Sequence, residues 1–300
     1  MTAQHNTSAR SAAAIFVNEG AGSARGERAR RTVELVRALL DADLFTTATR
    51  SPAELDGWLR ERADAYRTIV IVGGDGSLGV AYNVFAPRDV TLGYIPAGFG
   101  NATAHLLRLP SDPERLASLI ADADARPVDL VSIDGHLALF AGAGWDALVA
   151  HRYAQAGARG LPGWARAVAG SLPDLARRRS VRVEADGQTV FEGPMELLVA
   201  STTPFYGRGL RVNPGAAPDA GRLTIRVYRG PAPMLALEAL RWVARRTPST
   251  PAIHASSAVV TTLDGGPIPL QSDGDLLGER PAWQLEIRPA AVRLIGRWAT

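Results

Sequence analysis

The chain has 300 residues, is 46% hydrophobic and carries a formal net charge of +3 at pH 7. It has no cysteine and no lysine, so its 33 Lys+Arg residues are all arginine. These counts exclude disulfides, thiolate metal sites and the lysine of a P-loop or a Schiff base, and the small charge excess does not favour nucleic acid as a partner.

The first part of the chain alternates between short apolar runs and helical periodicity. Residues 1–12 are small and polar, and we expect them to be disordered. Predicted strands are 13–17, 44–47, 68–72 and 90–95, and predicted helices are 27–40, 52–62, 102–108, 113–121 and one beginning at Ser77. Such alternation predicts a doubly wound, parallel α/β domain over residues 13–127.

Three glycine-rich turns, 18–26, 73–77 and 96–101, each follow a predicted strand. Open α/β sheets bind ligands at the edge where the carboxyl ends of their strands meet. A helix that starts after such a turn has unpaired backbone N–H groups, which bind phosphate well. Asp75 in the second turn suggests a bridging cation, although any strand-to-helix turn can be rich in glycine.

The second part, 128–289, has short predicted strands separated by Asp-Gly turns, which predicts an antiparallel β domain. Two helical segments, 145–178 and 232–246, interrupt it. The last strand, 284–295, is compatible with either domain, so residues 290–300 could return to the first.

Other interpretations of single motifs remain open at this point. The stretch Gly20–Gly26 nearly matches the dinucleotide fingerprint, with Asp41 and Asp43 near the position of its ribose-binding acid, but its last glycine is one residue late. This favours a plain phosphate-contacting loop over a dehydrogenase. The five histidines lack zinc-site spacing, and no GxSxG serine is present.

Two arginine clusters, Arg177–Arg179 and Arg241 with Arg245 and Arg246, are typical of solvated surface. The second adjoins the amphipathic segment 232–246, which would suit an anionic membrane surface. No apolar run reaches the ~18 residues of a membrane span, and the first ten residues lack a signal-peptide pattern. We therefore expect a cytoplasmic protein that is peripheral to the membrane.

Together, the ordered motifs resemble those of one known family. They are Val17–Gly22 (N-P-x-S-G), Gly73–Ser77 (G-G-D-G-[TS]), Ile95–Ala102 (P-x-G-[TS]-G-N-[DA]), Asp129 (V-D-L), Gly144–Ala147 (G-F-D-A), Tyr206–Leu210 followed by Pro214–Ala216 (Y-G-G-G-L…P-x-A) and Leu270–Asp275 (Q-x-D-G-E). From about residue 13 to 296, the chain thus resembles the diacylglycerol kinase catalytic-domain family, which includes sphingosine, ceramide and bacterial lipid kinases.

The resemblance implies a phosphofructokinase-like nucleotide-binding domain, an antiparallel β-sandwich domain, and an enzyme that uses ATP and Mg²⁺. Its γ-phosphoryl acceptor would be a hydroxyl of a diacylglycerol-like, sphingoid or related lipid, met transiently at a membrane surface. Implied nucleotide contacts are Asn18, Thr47, Gly74, Asp75, Gly76, Ser77, Gly98 and Asp275. Asp75 with Asp129 would hold Mg²⁺, Asp75 and Asp273 would be catalytic, and Asp273 would accept the acceptor's proton. A homodimer is compatible with this assignment.

The chain also departs from these motifs. Phe99 replaces a small hydroxyl residue that commonly faces phosphate, and Ala102 and Ala220 stand where many members have an acid. Alternatives are therefore an NAD kinase or another small-molecule kinase with the GGDG motif, and a nucleotide-binding pseudokinase. On spacing alone, Asp273-Gly274 is a common hairpin turn that needs no catalytic role.

Overall fold

The computed structural model describes residues 13–62, 65–86, 88–156 and 160–297, without the side chains of residues 176 and 177. The chain forms two compact units. The first contains the residues up to Gly98, Leu107–Arg126 and those from Val292 onward, and the second contains Phe99–Leu106 and Pro127–Ala291. The disorder predicted for residues 1–12 lies outside the described residues.

The first unit is built on a parallel sheet with the strand order β2-β1-β3-β4. Its strands are β1 Ala13–Asn18, β2 Asp43–Thr47, β3 Thr68–Gly73 and β4 Thr91–Pro96; its helices are α1 Glu27–Leu40, α2 Pro52–Arg60, α3 Asp75–Phe85 and α5 Pro113–Asp122. The C-terminal residues Arg293 and Leu294 add a further parallel strand segment beside β4. The parallel sheet predicted from the alternating pattern is confirmed.

Both faces of this sheet are covered because neighbouring residues of a strand point to opposite sides. Ile15 and Val70 belong to a buried cluster that includes residues of α1 and α5. On the other face, Phe16 packs edge-on against Trp58 of α2. Long buried runs such as Ile69–Gly73 are the consequence, as expected for a doubly wound sheet.

The second unit has two antiparallel sheets around one core. Its remaining strands are β5 Ala125–Ile133 (whose first two residues belong to the first unit), β6 His136–Ala138, β7 Phe140–Gly144, β8 Arg179–Ala185, β9 Gln188–Met195, β10 Leu197–Ser201, β11 Leu223–Tyr228, β12 Ile253–Ala255, β13 Ser257–Thr262, β14 Ile268–Ser272, β15 Asp275–Arg280 and β16 Ala282–Ile295. One sheet has the order β12-β11-β10-β7-β14-β15, and the other contains β16-β13-β8-β9 with β5 and β6. A single buried cluster contains Leu198 and Leu270 of the first sheet and Val260 and Trp283 of the second, which confirms the predicted β-sandwich.

Helices of the second unit are α4 Ala102–Leu106, α6 Trp145–Gln155, α7 Gly160–Ser171 and α8 Ala232–Val243. The predicted helical segment 145–178 is thus interrupted, and it ends in a 3₁₀ turn, Leu172–Arg177. Within the described parts of the chain, no helix is both long and apolar enough to cross a membrane.

Three of the predicted Asp-Gly turns are hairpin turns, whereas the prediction is wrong for Asp264-Gly265, which connects β13 to β14 in different sheets. At Asp134, Asp186 and Asp273, φ is +48°, +48° and +49°, and each following glycine also has positive φ. Two consecutive left-handed residues are the signature of a type I′ turn, whose twist matches that of the flanking strands.

Two local predictions need correction. Helix α3 begins at Asp75, two residues earlier than predicted, with Gly74 as its N-cap. Helix α4 ends at Leu106 rather than residue 108. The carbonyl of Asn101 accepts from Ala104 and His105 N–H, but its φ of +47° differs from the extended conformation that a usual N-cap adopts.

Candidate functional site

In the first unit, the first two glycine-rich turns meet the beginning of the third, up to Gly98. The side-chain amide of Asn18, in the first turn, donates to Ser77 Oγ in the second at 3.1 Å. Ser23 donates from its backbone N–H and its hydroxyl to Ala97 O in the third turn, at 2.8 and 3.2 Å. These parts of the three turns therefore form one connected surface at the carboxyl edge of the sheet.

Two glycines of these turns are needed for close approach. A Cβ on Gly74 would lie 3.2 Å from Gly98 Cα, and one on Gly20 would lie 2.4 Å from the carbonyl oxygen of Thr49. Both contacts are with backbone atoms, and the second is too short for any Cβ, so a side chain on Gly20 would push two loops apart. The glycine pattern thus has a packing reason in addition to any contact with a ligand.

Asn18 organises the first turn. Its Oδ1 accepts from Gly20 N–H at 3.0 Å and from Thr49 N–H at 3.3 Å, while its Nδ2 donates to Ser77. Thr47 pairs with Asn18 across the sheet, and its carbonyl accepts from Glu19 N–H at 2.7 Å. Sequence analysis missed Ser23 and Thr49, which carry no motif signal and act through tertiary hydrogen bonds.

Asp75 is the first residue of α3, where its negative charge favours the helix dipole. It is partly exposed, as are its neighbours Gly74 and Gly76. Tyr94, buried in β4, donates to Gly73 O in this turn at 3.2 Å. Burial, followed by the negative charge of Asp75, holds the pKa of Tyr94 well above its usual value, so this phenol stays neutral. Seven of the expected nucleotide contacts, Asn18, Thr47, Gly74, Asp75, Gly76, Ser77 and Gly98, lie on these turns or at the adjoining end of β2.

Asp129, in the second unit, is buried and bound by backbone groups. Its Oδ1 accepts from Ala290 N–H at 2.8 Å and its Oδ2 from Gly221 N–H at 2.6 Å. Its own N–H donates to Pro218 O at 2.6 Å. These contacts fix the loop around residues 218–221, and the role of Asp129 toward a metal stays a prediction.

Asp273 is also buried and engaged by backbone. Its carboxylate accepts from Leu139 N–H at 3.1 Å and from Phe140 N–H at 3.0 Å, and its own N–H donates to Phe140 O at 3.1 Å. The hairpin-turn interpretation of Asp273 is therefore correct for its conformation, whereas its role as a general base stays a prediction. Asp275, at the start of β15, is exposed.

A polar triad lies next to this turn, with Gln271 buried and Asp146 and Tyr206 half-buried. Oδ2 of Asp146 accepts from Tyr206 OH at 2.5 Å and from Gln271 Nε2 at 2.8 Å. Gln271 Oε1 accepts from Gly274 N–H at 2.7 Å, so the triad also fixes the turn that carries Asp273. Burial raises the pKa of Asp146, while the hydrogen bonds from Tyr206 and Gln271 oppose that rise.

We did not predict this triad as a site. Its members come from three separate motif segments, Gly144–Ala147, Tyr206–Leu210 and Leu270–Asp275, and only the fold brings them together. A signal was present, because Gln271 is a polar residue inside an apolar strand, and such residues are buried only with partners.

The residues present fit Mg²⁺ that is bound together with a nucleotide. Among the described residues, no three Asp, Glu, His or Cys side chains are grouped as a metal cage. Mg²⁺ bound to a nucleotide is held mainly by phosphates and water with one or two carboxylates. Asp75, on the turn at the start of α3, could supply such a carboxylate.

Comparison with known proteins matches both units. The model of the "Diacylglycerol kinase catalytic domain" matches residues 12–133, and that of the "YegS C-terminal NAD kinase beta sandwich-like domain" matches residues 140–296. A diacylglycerol kinase of Mycobacterium tuberculosis (strain H37Rv) is 31% identical over 166 residues, which are 52% of this chain and 53% of that protein. The match thus spans about half the length of this relative.

A longer match is with a diacylglycerol kinase of Staphylococcus carnosus, 24% identical over 264 residues and 85% of each chain. A crystal structure of a diacylglycerol kinase from Bacillus anthracis strain Sterne aligns with a TM-score of 0.71 over 96% of this chain and 97% of that one. At 20% identity, this last similarity establishes the fold alone.

Proposed function

This chain belongs to the diacylglycerol kinase catalytic-domain family, and we propose that it transfers the γ-phosphoryl group of ATP to a hydroxyl of a lipid. The acceptor is a diacylglycerol-like, sphingoid or related lipid. The observation that carries the proposal is the meeting of three glycine-rich turns through Asn18–Ser77 and Ser23–Ala97. Such a surface suits the phosphate chain of a nucleotide.

The reaction needs little covalent chemistry from the protein. Phosphoryl transfer depends chiefly on positioning and on neutralising phosphate charge, so a chain without lysine can support it. We assign Asp75 to Mg²⁺, which when bound neutralises phosphate charge, and the backbone N–H groups at the start of α3 to phosphate. We assign Asp129 as the second carboxylate for Mg²⁺. It would act through the loops that its carboxylate fixes.

Asp273 is proposed to accept the proton of the lipid hydroxyl. A general base must be held in one orientation, and the backbone N–H groups of Leu139 and Phe140 do this for its carboxylate.

A membrane surface is the proposed place where the lipid is met. Helix α8 exposes Met234, Leu237, Leu240 and Val243, each more than half exposed, in an i, i+3 series in which each side chain lies beside the next. Arg245 and Arg246, both exposed, follow its end. An apolar stripe beside basic residues suits anionic lipid. Leu237→Gln with Leu240→Gln should reduce co-sedimentation with phosphatidylglycerol vesicles, whereas Val190→Gln, also at an exposed apolar position, should not.

The test of the function is transfer of label from γ-labelled ATP into lipid, measured over neutral glycerolipids, sphingoid bases and phosphatidylglycerol. We expect labelled product with one of these classes and none with NAD. Label in NAD alone would replace the proposal with an NAD kinase.

A nucleotide-binding protein without transfer is the second candidate. It is favoured by one observation, that the carboxylates of Asp129 and Asp273 are both bound by backbone N–H groups and thus already have a structural role. ATP binding in calorimetry without turnover on any lipid would support this candidate against the kinase.

A further inference from the structure

Two of the positions at which the chain departs from the kinase motifs contact each other. Phe99 stands where the motif has a hydroxyl residue, and Arg208 stands where the Y-G-G-G-L motif has glycine. The Arg208 guanidinium lies over the Phe99 ring, 4.5 Å from its centroid. This is the geometry of a cation–π contact.

Both partners of this contact are held from other directions. Tyr153 packs against Phe99 with ring centroids 5.4 Å apart. Arg208 N–H donates to Gly100 O at 2.7 Å. The segment around Arg208 is therefore fixed onto Phe99 and Gly100, which belong to the same unit.

Arg208 has a backbone conformation that favours glycine. Its φ is +60° and its ψ is 22°, in the left-handed region that disfavours residues with a Cβ. Apart from its contact with the Phe99 ring, the exposed guanidinium has no hydrogen-bond or ion-pair partner among the described residues, so its donors are accessible to a ligand.

The surroundings of Arg208 are positive. His105, beside Arg208 in the second unit, has a pKa lowered by burial and then by the charges of Arg245 and Arg208. Arg245 also has no ion-pair partner within the part of the chain that the structure describes. The local potential at this imidazole is therefore positive, which favours an anion nearby.

We propose that Arg208, stacked on Phe99, forms a subsite for a phosphate group beside Gly100. A guanidinium offers a planar, bidentate pair of donors that matches phosphate, and the aromatic ring fixes its plane. In this arrangement, the arginine supplies the phosphate contact that Phe99 cannot make. The phosphate belongs either to the nucleotide or to an anionic lipid, and the assignment of the site to phosphoryl transfer rests on the proposed function.

The test compares Arg208→Gly with Arg229→Ala. Glycine suits the left-handed backbone, so the first variant should fold at least as well as the wild type. Arg229 is exposed, and its replacement removes the same charge elsewhere in the second unit. Calorimetry with ADP, pyrophosphate and adenosine, none of which requires turnover, reports the phosphate contact directly.

We expect Arg208→Gly to weaken the binding of ADP and pyrophosphate by about tenfold or more, the scale of a charge-assisted bidentate contact. Its binding of adenosine should not change, and Arg229→Ala should bind all three probes as the wild type does. If the phosphate is instead that of a lipid, ADP binding is unaltered and binding to vesicles of phosphatidic acid in phosphatidylcholine falls by a similar factor. Equal binding of all these probes to the wild type and Arg208→Gly would overturn the subsite.

A double-mutant cycle tests the role of the ring. Phe99→Leu keeps most of the volume but removes the cation–π contact, so it should weaken phosphate binding in the wild type and have no effect in Arg208→Gly. Additive effects would contradict the stacked arrangement. A wild type that transfers no phosphate to lipid but loses pyrophosphate binding in Arg208→Gly would remove the kinase proposal and leave the subsite.

Discussion

Asp273 and Asp186 hold the same position in the same kind of hairpin turn, and both use the carboxylate in the same way. Asp186 accepts from the N–H groups of Ser256 and Ser257 at 3.0 and 2.9 Å, and its own N–H donates to Ser257 O. Asp273 makes the equivalent bonds with Leu139 and Phe140. The two differ in exposure, because Asp273 is 7% exposed and Asp186 lies on the surface.

This likeness supplies a matched control for the general base. Asparagine would present a donor to one backbone N–H at either turn, so Asp273→Asn and Asp186→Asn should both lower stability. If Asp273 is the base, Asp273→Asn alone should also lower kcat by roughly 10²-fold or more, with ATP affinity near that of the wild type. If the two variants had the same kcat, Asp273 would have only a structural role.

Gly142 makes room for the triad of Asp146, Tyr206 and Gln271. A Cβ on Gly142 would lie 1.9 Å from Asp146 Oδ2 and 2.5 Å from Gln271 Nε2. Gly142→Ala should therefore separate the triad and lower the free energy of unfolding by about 3 kcal/mol, from overpacking together with buried polar groups that lose partners.

Gly215→Ala is the control for this prediction, because a Cβ there meets nothing within 4 Å. Its effect on the free energy of unfolding should stay within about 0.5 kcal/mol. Urea unfolding of both variants gives the comparison, and similar stabilities would show that the triad tolerates displacement.

The ionisation of Asp146 should make the stability of the protein depend on pH. Burial raises the pKa of its carboxyl in the folded state above the unfolded value of about 3.9. The folded protein thus binds this proton more tightly, so its stabilising contribution is complete below the unfolded pKa and is lost as the pH rises through the folded pKa.

Asp146→Asn replaces the carboxyl with an amide that does not ionise, so this variant lacks the pH dependence. The stability of the wild type relative to Asp146→Asn should therefore fall as the pH is raised from about 4 to neutral. Chemical unfolding at a series of pH values measures that difference. A difference that stays constant or increases with pH would show that the triad, rather than burial, sets the ionisation of Asp146.

Most of the fold was predictable because its signals are local. The bounds of α1 follow from apolar spacing, and the observed helix, Glu27–Leu40, matches the prediction. Pro52, in the first turn of α2, marked the start of that helix. In contrast, the short strands β12 and β15 lack a sufficient apolar pattern and depend on pairing with β11 and β14.

The candidate site was predictable only in part. The meeting of the three turns follows from strand order, since carboxyl ends of parallel strands share an edge. No local signal links Asp146, Tyr206 and Gln271, or Phe99 and Arg208, because each contact joins residues that are distant in the chain. Side-chain hydrogen bonds and stacking across such distances require the folded structure.

The central claim, that Asp75 serves phosphoryl transfer, is tested most directly by Asp75→Asn beside Glu27→Gln. Helices α1 and α3 both begin after a glycine N-cap without a side-chain cap, and Glu27 and Asp75 are their respective first residues. Either substitution removes one charge from a helix N-terminus, which is worth about 0.3–1 kcal/mol and should lower Tm by at most roughly 4 °C.

The measurement is transfer of label from γ-labelled ATP into the lipid that the wild type phosphorylates. We predict a loss of at least about 100-fold for Asp75→Asn, the scale of removing electrostatic stabilisation of a transition state, and near-wild-type transfer for Glu27→Gln at a similar Tm. Full transfer by Asp75→Asn, or an equal loss in both variants, would contradict the assignment of Asp75.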